Sequence, residues 1–375
     1  MTAEIAILNK EAIALAADSA VTVETDRGQK IFTSANKLFA LSKFHPVGVM
    51  VYGSANFMGI PWDIIIKSYR KKLGIKKFNK LNQYAKNLIS FLNSNALFSK
   101  KQQDIYFLRC IYSYFREIRD EIEEVMQDVL KKENIADKER IQTEVFKIVD
   151  KHHRKCKVTK DLFNKTVLSK KIQKKYNTEI KKAIKDIFEN IHFSSAYGKK
   201  LKEIVICLFT KDMWASMMTS GIVVAGFGEK DVFPDINEFR IEGVVCGHLK
   251  YVEKKHQGIS FNNTSSIIPF AQREMVATFM EGMEPSLKQE IEGFWAEIFK
   301  KYPELLFSHL EKHKTVIDNK IKEKIISDSE KIFIKYKEKL KNIQRQYYIS
   351  PVVSVVGMLP KEELAMMAEA LVNLT

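Results

Sequence analysis

The chain has 375 residues, 45% of them hydrophobic and 29% charged, with 61 Lys and Arg against 46 Asp and Glu for a net charge of +15. That length and apolar content support a real core in one large domain or two ordinary ones. No run of eighteen apolar residues exists, which excludes a predicted transmembrane helix, and four cysteines without paired spacing predict no disulfide framework and a reducing, cytoplasmic setting.

From the start, Thr2 follows Met1 directly, and a small second residue permits removal of Met1. Thr2 would then carry a hydroxyl and a free α-amine on one residue. Such an amine titrates near ~7.7–8.0 and serves as a general base for its own hydroxyl. Residues 3–8 alternate small, acidic and apolar side chains and predict a first strand. Asn9, Lys10 and Glu11 predict a turn, and Ala12 to Ala17 a second strand. The resulting hairpin returns Asp18 to the level of Thr2, where its carboxylate can hold an ammonium. Asn36-Lys37-Leu38 opens the next apolar run after a polar turn from Glu24 to Gln29 and brings Lys37 toward the same pocket. A lysine there favours the neutral amine by like-charge repulsion. The Ala14–Ala20 run has no basic segment before it and predicts no export signal.

Thr2, Ala16-Ala17-Asp18-Ser19-Ala20-Val21-Thr22, Asn36-Lys37-Leu38 and Tyr52-Gly53-Ser54-Ala55-Asn56 occur in an order and spacing similar to the proteasome β-subunit and its HslV-type bacterial relatives. These are N-terminal-nucleophile (Ntn) hydrolases. The resemblance implies an α+β fold, a four-layer αββα sandwich, here with large helical insertions. It implies Thr2 as nucleophile, Asp18 as orienting acid and Lys37 as the base-tuning residue. It further implies that Thr22 pairs its backbone with an extended substrate and that Tyr52 or Gly53 supplies the oxyanion N–H. No cofactor and no metal are implied. The sequence departs from the family pattern at Ala20, where Arg is usual, at Tyr52, where the first glycine of the turn is usual and the side chain is expected to crowd the oxyanion site, and at Asn56, where Asp is usual.

Farther along, Trp62, Ile65, Ile66, Tyr69 and Leu73 predict a helix closed by Gly74, and Leu81 to Leu92 a second. Residues 1–95 thus form the N-terminal half of the expected core. Residues 96–202 are Lys- and Glu-rich with helical periodicity and read as an inserted hairpin or small bundle. His152, His153 and Cys156 suggest zinc, but a second ligand pair is missing, and an exposed basic helix or loop is the preferred reading. Residues 203–283 return to the core, with a buried strand at Ser220–Gly228, a partner strand within Asp231–Gly243, and a helix after Ser265. Ser265 or Ser266 stands where the family has a serine neighbouring the nucleophile, and Met275, Phe279, Met280 and Met283 read as core. Residues 284–349 form a second helical extension expected to pack with the first. Residues 350–375 give the last core strand and helix. The supporting Asp and Ser and the final strands of the family do not follow.

Three functions are weighed. The preferred one is a threonine peptidase acting on a peptide or protein, with a homo-oligomeric ring, an ATP-dependent unfoldase or a sheet-completing chain as partners. The second is an Ntn amidase for a small amide. The third is a silent scaffold that binds a partner, nucleic acid included, through its basic helices. A lysine-rich solvated surface accounts for the charge without nucleic acid and is preferred.

Overall fold

A computed structural model describes the chain apart from residues 1–2, 19–20, 26–27, 33–35, 95–96, 134–137, 163–164, 190, 192, 215–218, 255–257, 272, 314–316 and 375. The fold is mixed α+β, 60% helix and 17% strand, with several antiparallel sheets. The chain divides into two units, Met1–Ser34 with Gly258–Thr375 and Ala35–Gln257. The strands are β1 (Glu4–Asn9), β2 (Ile13–Ala17), β3 (Val21–Thr25), β4 (Gly28–Phe32), β5 (Leu38–Ala40), β6 (Val47–Gly53), β7 (Asn56–Phe57) and β8 (Ile60–Pro61). Helices α1 (Trp62–Leu73), α2 (Leu81–Leu92), α3 (Lys100–Glu133), α4 (Lys138–Val158), α5 (Lys165–Ile187) and α6 (Ser195–Thr210) follow. Then come β9 (Ser220–Gly226), β10 (Asp235–Val245), β11 (His248–Glu253), β12 (Ser265–Pro269), α7 (Glu274–Glu281), α8 (Pro285–Lys312), α9 (Asn319–Gln344), α10 (Ser350–Val356) and α11 (Lys361–Asn373).

In the first unit, β1 lies at the centre of a three-stranded antiparallel sheet of order β12-β1-β2. Ile5 and Ile7 point to one face by the two-residue period of a strand. There they meet Val356 of α10 and Leu364, Ala368 and Leu371 of α11 in a buried cluster. The polar stretch around Glu24 to Gln29 is not a simple turn but the tip of a hairpin, with β3 and β4 paired from Val21↔Phe32 to Thr25↔Gly28. Ser350–Val356, expected as a strand, is helical and follows directly on a single π-helical turn at Arg345–Ile349. Its β-branched valines sit where the helical run of α9 continues through them, and context overrides propensity. The methionine stripe of α7 is not core throughout: Met275 is 46% and Phe279 45% exposed, and Val276 is the buried residue.

The second unit is built on a five-stranded antiparallel sheet of order β11-β10-β9-β6-β5. Helices α1 and α2 bury Trp62, Ile65, Ile66, Tyr69, Leu81, Tyr84 and Leu88 against Val49, Val51, Ile222, Val224, Phe239 and Ile241 of the strands. Each such side chain contributes roughly 1.5–3 kcal/mol by leaving water. Gly74 ends α1 with φ 55, a left-handed value that glycine adopts without strain.

Helices α3 to α6 form a bundle around Phe107, Ile111, Phe115, Ile172, Leu201 and Val205. The helical extensions expected to pack together belong to different units. His152 and His153 are buried, not exposed: His152 bonds to Tyr114 Oη (2.9 Å) and Glu121 (3.0 Å), and His153 to Glu203 (2.7 Å). Cys156 of α4 is joined to Cys207 of α6 by a disulfide, which corrects the expectation of free thiols. The two lie 51 residues apart, so only the packing of the helices reveals the pair. No described helix is long and apolar enough to cross a membrane.

Candidate active site

Thr2 lies outside the described residues. The nearest described residues belong to the β1–β2 ladder. The pairing runs from Leu8↔Ile13 to Glu4↔Ala17, and the N–H of Asp18 donates to the carbonyl of Ala3 at 2.8 Å. Asp18 is half-buried and stands opposite Ala3, the residue after Thr2. The turn at the other end is shaped by Asn9. Its Oδ1 accepts the N–H groups of Glu11 (2.9 Å) and Ala12 (3.0 Å), and its Nδ2 donates to the carbonyls of Val356 (3.1 Å) and Leu359 (2.7 Å). Thr22 belongs to β3 and is described by its backbone alone, paired with Ile31.

The same sheet removes the serines from this end. β12 runs antiparallel to β1 with Ser265 opposite Asn9 and Ser266 opposite Leu8. Six residues at ~3.4 Å each separate that level from Ala3, about 20 Å. Ser265 instead donates to the carbonyl of Val353 at 2.6 Å. The segment at the Asp18 end is Phe270, whose N–H donates to the carbonyl of Glu4 at 2.9 Å.

Lys37, Tyr52 and Gly53 lie in the second unit. Lys37 is 8% exposed, and its carbonyl accepts the N–H of Val51 at 2.9 Å, one residue ahead of the β5–β6 pairing. It is therefore fixed at the end of β6, next to the Tyr52-Gly53 turn. Gly53 has φ 79, and a Cβ there would meet the carbonyl oxygen of Thr219 at 2.6 Å, so glycine is required on both counts. Tyr52 lays its ring over Gly221 of β9, where an added Cβ would come within 1.9 Å of the ring, and its hydroxyl bonds to Glu238 of β10. The side chain expected to crowd the turn is thus drawn along the sheet, away from the Gly53 backbone.

Beside this turn lies a cavity of about 400 Å³ lined by Ser54, Asn56, Met58, Tyr106, Arg109 and Glu242. Glu242 is buried at its wall and paired with Lys250 at 2.5 Å, with side chains 2% and 4% exposed. Lys250 also donates to the carbonyls of Leu208 (2.6 Å) and Met213, and its ammonium lies 4.6 Å from the centre of the Trp214 ring. Burial lowers the lysine's affinity for its proton, and Glu242 opposes that shift. Burial first, and then the Glu242 charge, push the Tyr106 hydroxyl well above its usual range and the Cys110 thiol up to about 12. The Tyr106 hydroxyl and the Cys110 thiol therefore hold their protons through the neutral range. Sequence reading missed Glu242 and Lys250. They lie on either side of the Cys246-Gly247 turn among other charged residues, Asp235, Glu238 and Arg240 on β10 and Glu253 on β11, and burial rather than sequence sets them apart.

No group of three or more His, Cys, Asp or Glu side chains that could hold a metal occurs among the described residues. No family model, no curated protein and no solved structure matches this chain.

Proposed function

We propose that the chain is an N-terminal threonine amidohydrolase resembling the proteasome β-subunit and HslV, acting on peptide bonds through Thr2 after Met1 is removed. The observation that carries the proposal is the register of the β1–β2 hairpin, which sets Asp18 opposite Ala3 through a 2.8 Å backbone bond. The finer fold in this reading is the four-layer αββα sandwich. Two antiparallel sheets, each with helices on a face, supply its ingredients.

In the proposed reaction the α-amine of Thr2 takes the proton of its own hydroxyl, and Oγ attacks the substrate carbonyl. The N–H of Tyr52 or Gly53 receives the developing oxyanion. Collapse breaks the C–N bond, the ammonium of Thr2 hands its proton to the leaving amine, and an ester on Thr2 remains. The same amine then deprotonates a water, which attacks the ester; the acid leaves, and the threonine hydroxyl is restored. Asp18 orients the terminal ammonium, and Lys37 favours its neutral form and the alkoxide. Thr22 pairs with the substrate backbone. The second reading is an Ntn amidase for a small amide. Partners under the first reading are a peptide or protein substrate, further copies in a ring, an ATP-dependent unfoldase or a chain that completes the sheet.

The test is the intact mass of the protein before and after incubation with a peptide epoxyketone, which requires a hydroxyl and a free α-amine on one residue. Loss of Met1 and a single adduct on Thr2 are expected. Retained Met1, or a processed chain that forms no adduct, would overturn the proposal.

A further inference from the structure

A second cavity, of about 710 Å³, lies in the second unit between the start of α3, the face of α5 and the turn from β10 to β11. Four lysines line it: Lys100, Lys171, Lys174 and Lys175, with no acidic residue among the lining groups. Lys175 is paired with Asp104 at 2.5 Å, and that carboxylate also accepts the Tyr176 hydroxyl at 2.5 Å. Among the described residues, no ion pair is made by Lys100, Lys171 or Lys174. Three exposed ammonium groups converging on one concavity repel one another and draw an anion.

The rest of the cavity is built and apolar at its base. Phe98 is 1% exposed there. Gln103, itself 5% exposed, ties the two walls: its Nε2 donates to the carbonyl of Phe98 (3.1 Å), and its Oε1 accepts the N–H of Gly247 (2.9 Å). Cys246 and Gly247 both take left-handed backbone angles, φ 51 and 73, uncommon for a cysteine and imposed by the tight turn. Burial pushes the half-buried Cys246 thiol up, Lys175 and Lys171, which line the same cavity, oppose that shift, and Asp104 adds to it. Helix α3 begins at Lys100, so the positive end of a 34-residue helix adds to the same field.

We propose that this cavity is a binding site for a phosphorylated small molecule of nucleotide size, carrying two or more negative charges, recognised by Lys100, Lys171 and Lys174. The volume lies in the range of small-molecule pockets, roughly 300–1,000 Å³. An extended single strand of nucleic acid needs an open groove with exposed stacking aromatics. The aromatic ring here is Phe98, which is buried.

The probe is inorganic triphosphate, followed by a nucleoside triphosphate, titrated calorimetrically into the full-length chain at low and physiological salt. Saturable one-to-one binding is expected. Lys171→Ala with Lys174→Ala should weaken it about 10- to 100-fold, as for loss of charge-assisted hydrogen bonds. Lys181→Ala with Lys182→Ala, exposed on the same helix and outside the cavity, should leave it unchanged. Bound triphosphate should slow maleimide labelling of Cys246, and thermal unfolding of both double variants should match that of the unaltered chain. Equal loss in the two double variants would reduce the effect to general surface charge. Binding without protection of Cys246 would move it elsewhere, and a chain that binds only nucleic acid would contradict the ligand class. Each of these outcomes overturns the proposal.

Discussion

Removing the Lys250 ammonium should be among the most damaging single changes to the second unit. Lys250→Met strips the Glu242 carboxylate, 2% exposed, of its cation at 2.5 Å and takes the donor from the carbonyls of Leu208 and Met213. Breaking a buried pair from one side costs about 3–5 kcal/mol, because the remaining charge stays desolvated. Glu242→Gln is milder, about 1–3 kcal/mol, since the ammonium keeps both carbonyls and gains an amide oxygen. The double variant buries neither charge, and its loss should fall short of the sum of the two by about 1–3 kcal/mol. Urea unfolding followed by tryptophan fluorescence and circular dichroism measures all four proteins; Trp214 sits against the ammonium and reports locally. Strict additivity, or a Lys250→Met chain within about 1 kcal/mol of the unaltered protein, would refute the argument that this pair is coupled and desolvated.

Gly221→Ala drives a methyl to within 1.9 Å of the Tyr52 ring and should cost about 1–3 kcal/mol or more, and adding Tyr52→Ala should recover part of that loss in the same unfolding assay. Reduction of Cys156–Cys207, which closes a loop with a sequence separation of 51, should lower the unfolding free energy by about 4 kcal/mol, and Cys156→Ala should abolish the response to dithiothreitol. At Asp231, burial raises the carboxyl pKa, but the Lys80 ammonium and the N–H groups of Leu81 and Gly228 together outweigh it and hold the group below its usual value. The advantage of the unaltered chain over Asp231→Asn, about 1 kcal/mol, is therefore full above about pH 4 and disappears as pH falls through the lowered folded value, which acid-titrated thermal unfolding will show.

How far the fold was legible depended on how local its causes are. The β1–β2 hairpin follows from an alternating run, the Asn9 turn and a second run, all within seventeen residues of the start. Helices α1 and α2 follow from apolar residues at helical spacing, with Gly74 at the end of α1. By contrast, Ser265 pairs with Asn9 through a strand more than 250 positions away, and only the antiparallel sense of β12 shows that it stands at the wrong end for the expected site. The Cys156–Cys207 link and the burial of His152 and His153 depend on the packing of α4 against α3 and α6, which periodicity does not specify. Many apolar residues of α8 and α9 kept their helical spacing yet remain exposed, Leu305 at 57% and Ile332 at 56% among them. Spacing identifies a helix face without saying what covers it.

Asn9 gives the first sheet a property beyond a well-made turn. A strand repeats every two residues, so a slip of one position turns every side chain to the opposite face. The four bonds of Asn9 fix where counting begins on β1, because two of them bind the turn and two bind the chain at Val356 and Leu359. Which residue faces Asp18, about 20 Å away, is thus decided at the far end of the hairpin. Lengthening the turn by a single residue would leave Asp18 in the sequence, yet point its carboxylate away from the position the proposed nucleophile needs. The chemistry proposed at one end of the ladder is calibrated by an amide at the other.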